Sequence, residues 1–243
     1  MNDSSHKLDK KQKYKNLDLI ARLHDCDVDL LSNHIYLFGH EGYIGAMEGE
    51  DEPGVEFGMA NRFIRNMNLC MRHNSEDPIL IHMKSNGGHW TEGMAIHNMI
   101  AACPTPVTIL SYTHARSMSS LILQAANKRV MMPDSYFLFH EGSMGVEGTP
   151  REVFSSVDYE KNVCIPRMYE IYANAMLRGG KFSNWSKKKI IDMLKERVGS
   201  KVDVFLTAEE AVEWGLADEV FGKDGKYDWS QLIEYTEEEL SRG

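Results

Sequence analysis

The chain has 243 residues, of which 42% are apolar, and a formal net charge of −9. That length and apolar content suit a full hydrophobic core, read here as one large domain with appendages. The charge argues against a nucleic-acid surface, which needs clustered Lys and Arg. The one such cluster, Lys7, Lys10, Lys11, Lys13 and Lys15, reads as a solvated N-terminal arm. The four cysteines, Cys26, Cys70, Cys103 and Cys164, are widely spaced, with no CxxC pair and no signal peptide ahead of them. They point to a reduced, cytoplasmic protein, and no window approaches the roughly 18 apolar residues of a membrane span.

In chain order, residues 1–17 are polar and Lys-rich and read as mobile, and residues 17–31 fit a short helix or a loop equally well. His34 to Phe38 (HIYLF) reads as a strand closed by Gly39. Residues 41–55 hold four Gly, one Pro and five acids, which marks an acidic loop or insertion. Phe57, Ala60, Ile64, Met67 and Met71 recur at helical spacing over residues 56–71, and Ile79 to Met83 (ILIHM) supplies the next strand. The corner Ser85-Asn86-Gly87-Gly88 follows, then a helix from Trp90 to about Cys103. Paired glycines permit a backbone with positive φ and close approach to exposed N–H groups, although a plain strand-to-helix turn explains them too.

Residues 106–140 read as a strand from Val107 to Leu110, a short turn, a helix opening at Ser117, a second turn at Pro133-Asp134 and an apolar run ending in His140. Met118, Leu121, Ile122 and Ala125 mark the buried side of that helix. Ser117 then lies beside backbone N–H groups that have no intrahelical partner. A hydroxyl there can attack a carbonyl whose developing oxyanion meets those donors, but on this segment alone an ordinary Ser N-cap is the better account. Strands separated by helices predict a parallel α/β core, with ligands outside the carboxyl ends of the strands, where Gly87, Ser117 and His140 fall.

Beyond His140 a glycine-rich extended stretch precedes Thr149-Pro150-Arg151-Glu152, a capping box with proline at the first helical position. The long helix it opens ends at Gly179-Gly180, and Pro166 inside it predicts a kink or a split. A short helix over Trp185 to Leu194 and a second capping box at Thr207, closed by Gly215, complete the pattern. Asp203 stands just upstream of that second box and by itself is an unremarked surface acid. His114 reads as a packed or solvent-facing ring. No HExxH or paired ligand spacing suggests a metal, and the 15 methionines read as core.

Taken together, Ser117-Met118 before an apolar helix, His140 after the next strand, the Ser85–Gly88 corner and the run from Asp203 to Asp218 (DVFLTAEEAVEWGLAD) resemble the Clp protease proteolytic subunit family of serine peptidases. The likeness runs in order from about residue 33 to residue 220, and phage-encoded head-maturation versions are one branch that fits it. The resemblance implies an α/β fold of the ClpP/crotonase type, a spiral of ββα units with a protruding helical handle. Residues 31–222 would form the peptidase domain, with the acidic insertion at about 41–55 and the handle at about 149–178. Residues 1–30 would be an arm and 223–243 an acidic C-terminal tail. The resemblance makes Ser117 the nucleophile, His140 the general base and then acid, and Asp203 the group that orients the imidazole. It assigns the oxyanion hole to the N–H groups of Gly87 and Met118, and extended-peptide binding to Gly88, Gly142, Ser143, Met144 and Gly145. No metal or organic cofactor is required.

The partners implied are a protein or peptide substrate, further copies of the chain in a ring of seven or in stacked rings of seven, and an AAA+ unfoldase. Leu80 and His82 stand where the family's unfoldase-docking pocket is aromatic, and Pro166 interrupts the helix that joins two rings, so docking and stacking are both open. Ser119, Asn86 and Glu141-Gly142 replace the family's usual glycine, proline and Gln-Pro. Arg116 precedes the nucleophile where a small residue is usual, and would favour acidic substrates or pair with Glu141. Two other readings stand beside the peptidase: a catalytically silent ring or scaffold subunit, and a crotonase-like enzyme acting on a coenzyme A thioester. Fold alone cannot choose among them.

Overall fold

The computed structural model describes residues 19–21, 23–39 and 54–242. The expected arm through residue 18 and the acidic insertion from residue 41 to residue 53 lie outside them. Among the described residues eight strands form one sheet, with the path β1-β2-β3-β4-β5-β8 and with β6 and β7 branching from β4. Five of the pairings are parallel, and only β1 with β2 and β6 with β7 run antiparallel. Parallel strands need crossover connections, and helices supply them here. No helix among the described residues is long and apolar enough to cross a membrane.

β1 (Val28–Asp29) and β2 (His34–Phe38) open the sheet, and Ile35 and Leu37 alternate inward along β2. Glu56 caps α1 (Phe57–His73), its carboxylate accepting from the N–H groups of Gly58 and Met59. This satisfies two donors that a helix start leaves open. β3 (Ile79–Ser85) is central and nearly continuously buried, which its apolar run demands. α2 (Trp90–Ala101) crosses to β4 (Val107–Arg116), which is ten residues long.

The turn expected after Leu110 is therefore strand. The physical reason is that β4 serves two partners: Thr108–Ser111 pair with β5 (Lys128–Met131), and His114–Arg116 pair with β6 (Tyr136–Phe139). His114 packs against Tyr136, with ring centroids 5.4 Å apart. In the connection from β4 to β5, α3 (Met118–Leu123) is shorter than its apolar spacing implied, and β5 begins after a short turn.

The handle is α4 (Pro150–Tyr159), a π-helical turn at Glu160–Cys164, and α5 (Ile165–Arg178). Pro166 follows directly on that π-turn in a continuous helix, where it removes one backbone hydrogen bond and crowds the preceding turn, so the expected interruption takes the form of a π-turn. α6 (Lys187–Lys201), capped by Ser186, is longer than expected because Leu194 and Val198 continue its buried face. β7 (Val204–Thr207), α7 (Ala208–Trp214) and β8 (Glu219–Val220) follow, and Gly215 stops α7 with φ +79°.

The acidic C-terminal segment folds back on the sheet. Thr108 Oγ1 donates to the Leu232 carbonyl at 2.6 Å, Lys128 Nζ to the Gln231 carbonyl at 2.6 Å, and Arg242 pairs with Asp218 at 2.7 Å. Leu232 is fully buried against Leu80, Leu110, Val130 and Phe221.

Candidate active site

The register of three strands brings together residues far apart in sequence. Antiparallel pairing of Phe139 with Val204 sets His140, one residue past β6, opposite Asp203, one residue before β7. Parallel pairing of Arg116 with Leu138 brings Ser117 to the same end of the sheet, and the Ser117 N–H donates to the Leu138 carbonyl at 3.1 Å. As a result His140 Nε2 lies 2.8 Å from Ser117 Oγ, and His140 Nδ1 lies 3.0 Å from Asp203 Oδ1. A carboxylate on Nδ1 selects the tautomer that carries its proton there, which leaves Nε2 as an acceptor for the serine proton. The Asp203 side chain remains 45% exposed and that of His140 21%, so the carboxylate is not stranded in the core.

Ser117 has φ +53° and ψ −126°, a conformation rare for a residue with a side chain. Such a kink between strand and helix holds a hydroxyl out at the sheet end, at a strain of order 1–3 kcal/mol. Its surroundings hold it there. The Ser117 carbonyl accepts from Ser120 Oγ at 2.5 Å, which also meets Tyr172 Oη at 2.6 Å, and Ser119 Oγ donates to the Ser85 carbonyl at 2.8 Å. The serine at 119, where the family favours glycine, thus ties the helix start to the glycine corner.

That corner lies directly beside Ser117. Gly87 has φ +90°, and a Cβ on it would sit 2.7 Å from the Arg116 carbonyl oxygen, the Met118 nitrogen and Ser117 Cβ. Only glycine fits. The Gly87 N–H makes a long 3.3 Å bond to Ser85 Oγ, and the Met118 N–H heads α3, where no intrahelical carbonyl can receive it. Val55 pins the corner from outside: its N–H donates to the Gly87 carbonyl at 2.5 Å and its carbonyl accepts from the His89 N–H at 2.9 Å.

Ser117 and His140 open on a cavity of about 590 Å³. Gly88, Gly142, Ser143, Met144 and Gly145, expected to bind substrate, all line it. Residues 141–145 are exposed and without regular secondary structure. Arg116 does not pair with Glu141: the Glu141 carboxylate accepts from Tyr169 Oη at 2.7 Å, and burial and this carboxylate together push the tyrosine hydroxyl well above its ordinary ionisation range. Glu160, Cys164, Ile165, Met168 and Tyr172 form the wall supplied by the handle. In the sequence Met168 and Tyr172 show only as part of the apolar side of the long helix. Glu160 and Cys164 gave no signal, because a π-turn shifts the helical period.

A parallel α/β sheet carrying hydroxyl, imidazole and carboxylate in hydrogen-bonded series at its strand ends has the arrangement of hydrolases that work through an activated serine. The family model described as Clp protease matches residues 52–224, most of the chain, and the chain belongs to that family. Proteins of this family act on protein substrates and usually assemble as rings.

Proposed function

We propose that this chain is a serine endopeptidase of the Clp proteolytic subunit type, cleaving unfolded or scaffold proteins inside a homo-oligomeric ring. The observation that carries the reading is the unbroken series Ser117–His140–Asp203, with bonds of 2.8 and 3.0 Å, at the edge of a cavity large enough for a peptide side chain. In this mechanism His140 Nε2 takes the Ser117 proton as Oγ adds to the peptide carbonyl. The imidazolium is balanced by Asp203 and then protonates the leaving amine. The N–H groups of Gly87 and Met118 receive the oxyanion, and the open backbone of Gly142 to Gly145 pairs with extended substrate. Water repeats the sequence on the acyl-enzyme. No metal or organic cofactor enters these steps.

A cytoplasmic setting is supported by four free cysteines, of which three are buried. Ring assembly rests on family membership, and an AAA+ unfoldase would deliver folded substrates. The test is intact-mass detection of fluorophosphonate labelling on the natively sized particle. One adduct per chain, lost in Ser117→Ala, is expected. An assembled particle that takes no adduct would favour a silent ring subunit instead.

A further inference from the structure

The cavity beside Ser117 has walls of two kinds. Met118, Leu121, Ile165 and Met168 are apolar, whereas Glu92 and Glu160 bring carboxylates, and no Lys or Arg is among its lining residues. Glu141 also borders it, but its carboxylate is engaged by Tyr169. Glu92 has an ordinary explanation, as an acid in the first turn of α2.

Glu160 has the Cys164 thiol as its local partner, and a thiol is a weak donor that leaves a carboxylate most of its acceptor capacity. Glu160 opens the π-turn Glu160–Cys164, an uncommon feature that recurs at functional sites, and that turn together with the start of α5 puts Glu160, Cys164 and Ile165 on the cavity wall. Burial, and after it the Glu160 carboxylate alongside, push the Cys164 thiol up to about 11. Part of that rise is the hydrogen bond the thiol donates to this carboxylate, and both residues line the cavity.

The side chain of the residue whose carbonyl Ser117 attacks must enter the space next to Ser117. A Leu or Met there would desolvate carboxylate oxygens and give nothing back. A Lys or Arg would lay its methylene stem along the apolar wall and bring its cationic head to a carboxylate. We propose that Glu160 is a specificity-determining residue that selects Lys or Arg on the acyl side of the cleaved bond, with Glu92 as a second carboxylate. This rests on the serine-peptidase reading above. It makes the protein a protease for basic sites, and Arg116, outside the cavity lining, has no part in the choice.

The test compares two peptidyl phosphonates that differ only in the side chain beside phosphorus, Lys or Leu, by their rates of covalent labelling followed by intact mass. In wild type the Lys probe should react about tenfold faster, the size expected of one hydrogen bond to a charged group. Glu160→Gln keeps the shape of the side chain and should bring the Lys-to-Leu ratio to about one, and Glu160→Asp should restore part of it. The wild-type ratio should also shrink as ionic strength rises. A wild-type ratio of one or less, or a ratio unmoved by Glu160→Gln, overturns the proposal while labelling at Ser117 keeps the peptidase reading intact. If neither these probes nor a small fluorophosphonate labels Ser117, the peptidase reading falls and takes the specificity with it.

Discussion

Ser117 and Gly87 hold two of the site's positive-φ conformations, and each depends on the other. The serine is kinked at positive φ so that its hydroxyl meets His140, and the glycine fills the space the kink leaves, with no room for a methyl group. Gly87→Ala should therefore displace the Met118 N–H from the oxyanion position. The expected loss in labelling rate is about 100-fold or more, the cost of removing one preorganised donor. Stability should fall by only about 1–3 kcal/mol, since the strain is confined to one corner. Labelling kinetics and denaturant unfolding on the same sample check this. Equal losses in both would mean that the corner is structural and not catalytic.

At the scale of elements, the handle differs from the rest of the fold. α4 buries none of its side chains, and Phe154 and Val157 lie exposed on it. Its hold comes from local chemistry: the Thr149 N–H donates to Glu152 Oε2 at 2.7 Å, and the Glu152 N–H reaches back to Thr149 Oγ1 at 3.5 Å. Thr149→Ala should cost this helix about 1 kcal/mol. Amide exchange over residues 150–159 should speed up several-fold while the global melting temperature stays put, since local opening need not involve the core. A fall in global stability of the same size would show that α4 unfolds with the sheet. The apolar face it leaves exposed is available to another copy of the chain, as ring or double-ring assembly would require.

For the molecule as a whole, the outer side of the sheet is stabilised by buried polar groups whose ionisation couples to folding. His82 lies under the C-terminal segment, stacked on Tyr36 with centroids 4.5 Å apart, and its ring nitrogens meet Tyr112 Oη at 2.9 Å and His34 Nδ1 at 3.1 Å. Burial, and then the neighbouring His34, lower its pKa to about 4. The unfolded chain therefore binds a proton that the folded one refuses. Stability is complete above the ordinary histidine range and falls as pH drops from about 6.5 toward 4, by about 3 kcal/mol for this group. His34, lowered by burial against the opposing pull of Asp29, acts in the same direction. Urea unfolding at pH 7, 5 and 4 should show a steady loss that His82→Leu reduces, and a flat profile would contradict it. Asp218 behaves otherwise. Burial alone would raise its carboxyl, but Arg129 and Arg242 outweigh that and hold it below the usual carboxylate range, so its contribution is lost only in stronger acid. It clamps the C-terminal segment to β5 through both arginines.

The elements legible in the sequence are those specified by neighbours along the chain. The caps at Thr149 and Thr207, the stop at Gly215, the branched and aromatic run His34–Phe38 and the helical spacing after Glu56 each need only a few adjacent residues, and each stands where it was expected. The candidate site residues came from resemblance, and the residues alone left Ser117 an ordinary cap and Asp203 a surface acid. What escaped was decided at long range. β5 is a strand that the sequence reading did not separate from the helix before it, and its Arg129 is 1% exposed because Asp218, Gln124 and the Gly215 carbonyl receive it. The upper half of β4 is strand because β6 arrives beside it. The π-turn that brings Glu160 to the cavity has no pattern of its own. By itself the sequence determined which segments are helix or strand wherever hydrogen bonds and apolar spacing are local. Only the tertiary structure decided which charged residues are buried and which three strand ends meet, because both depend on partners that folding brings from far along the chain.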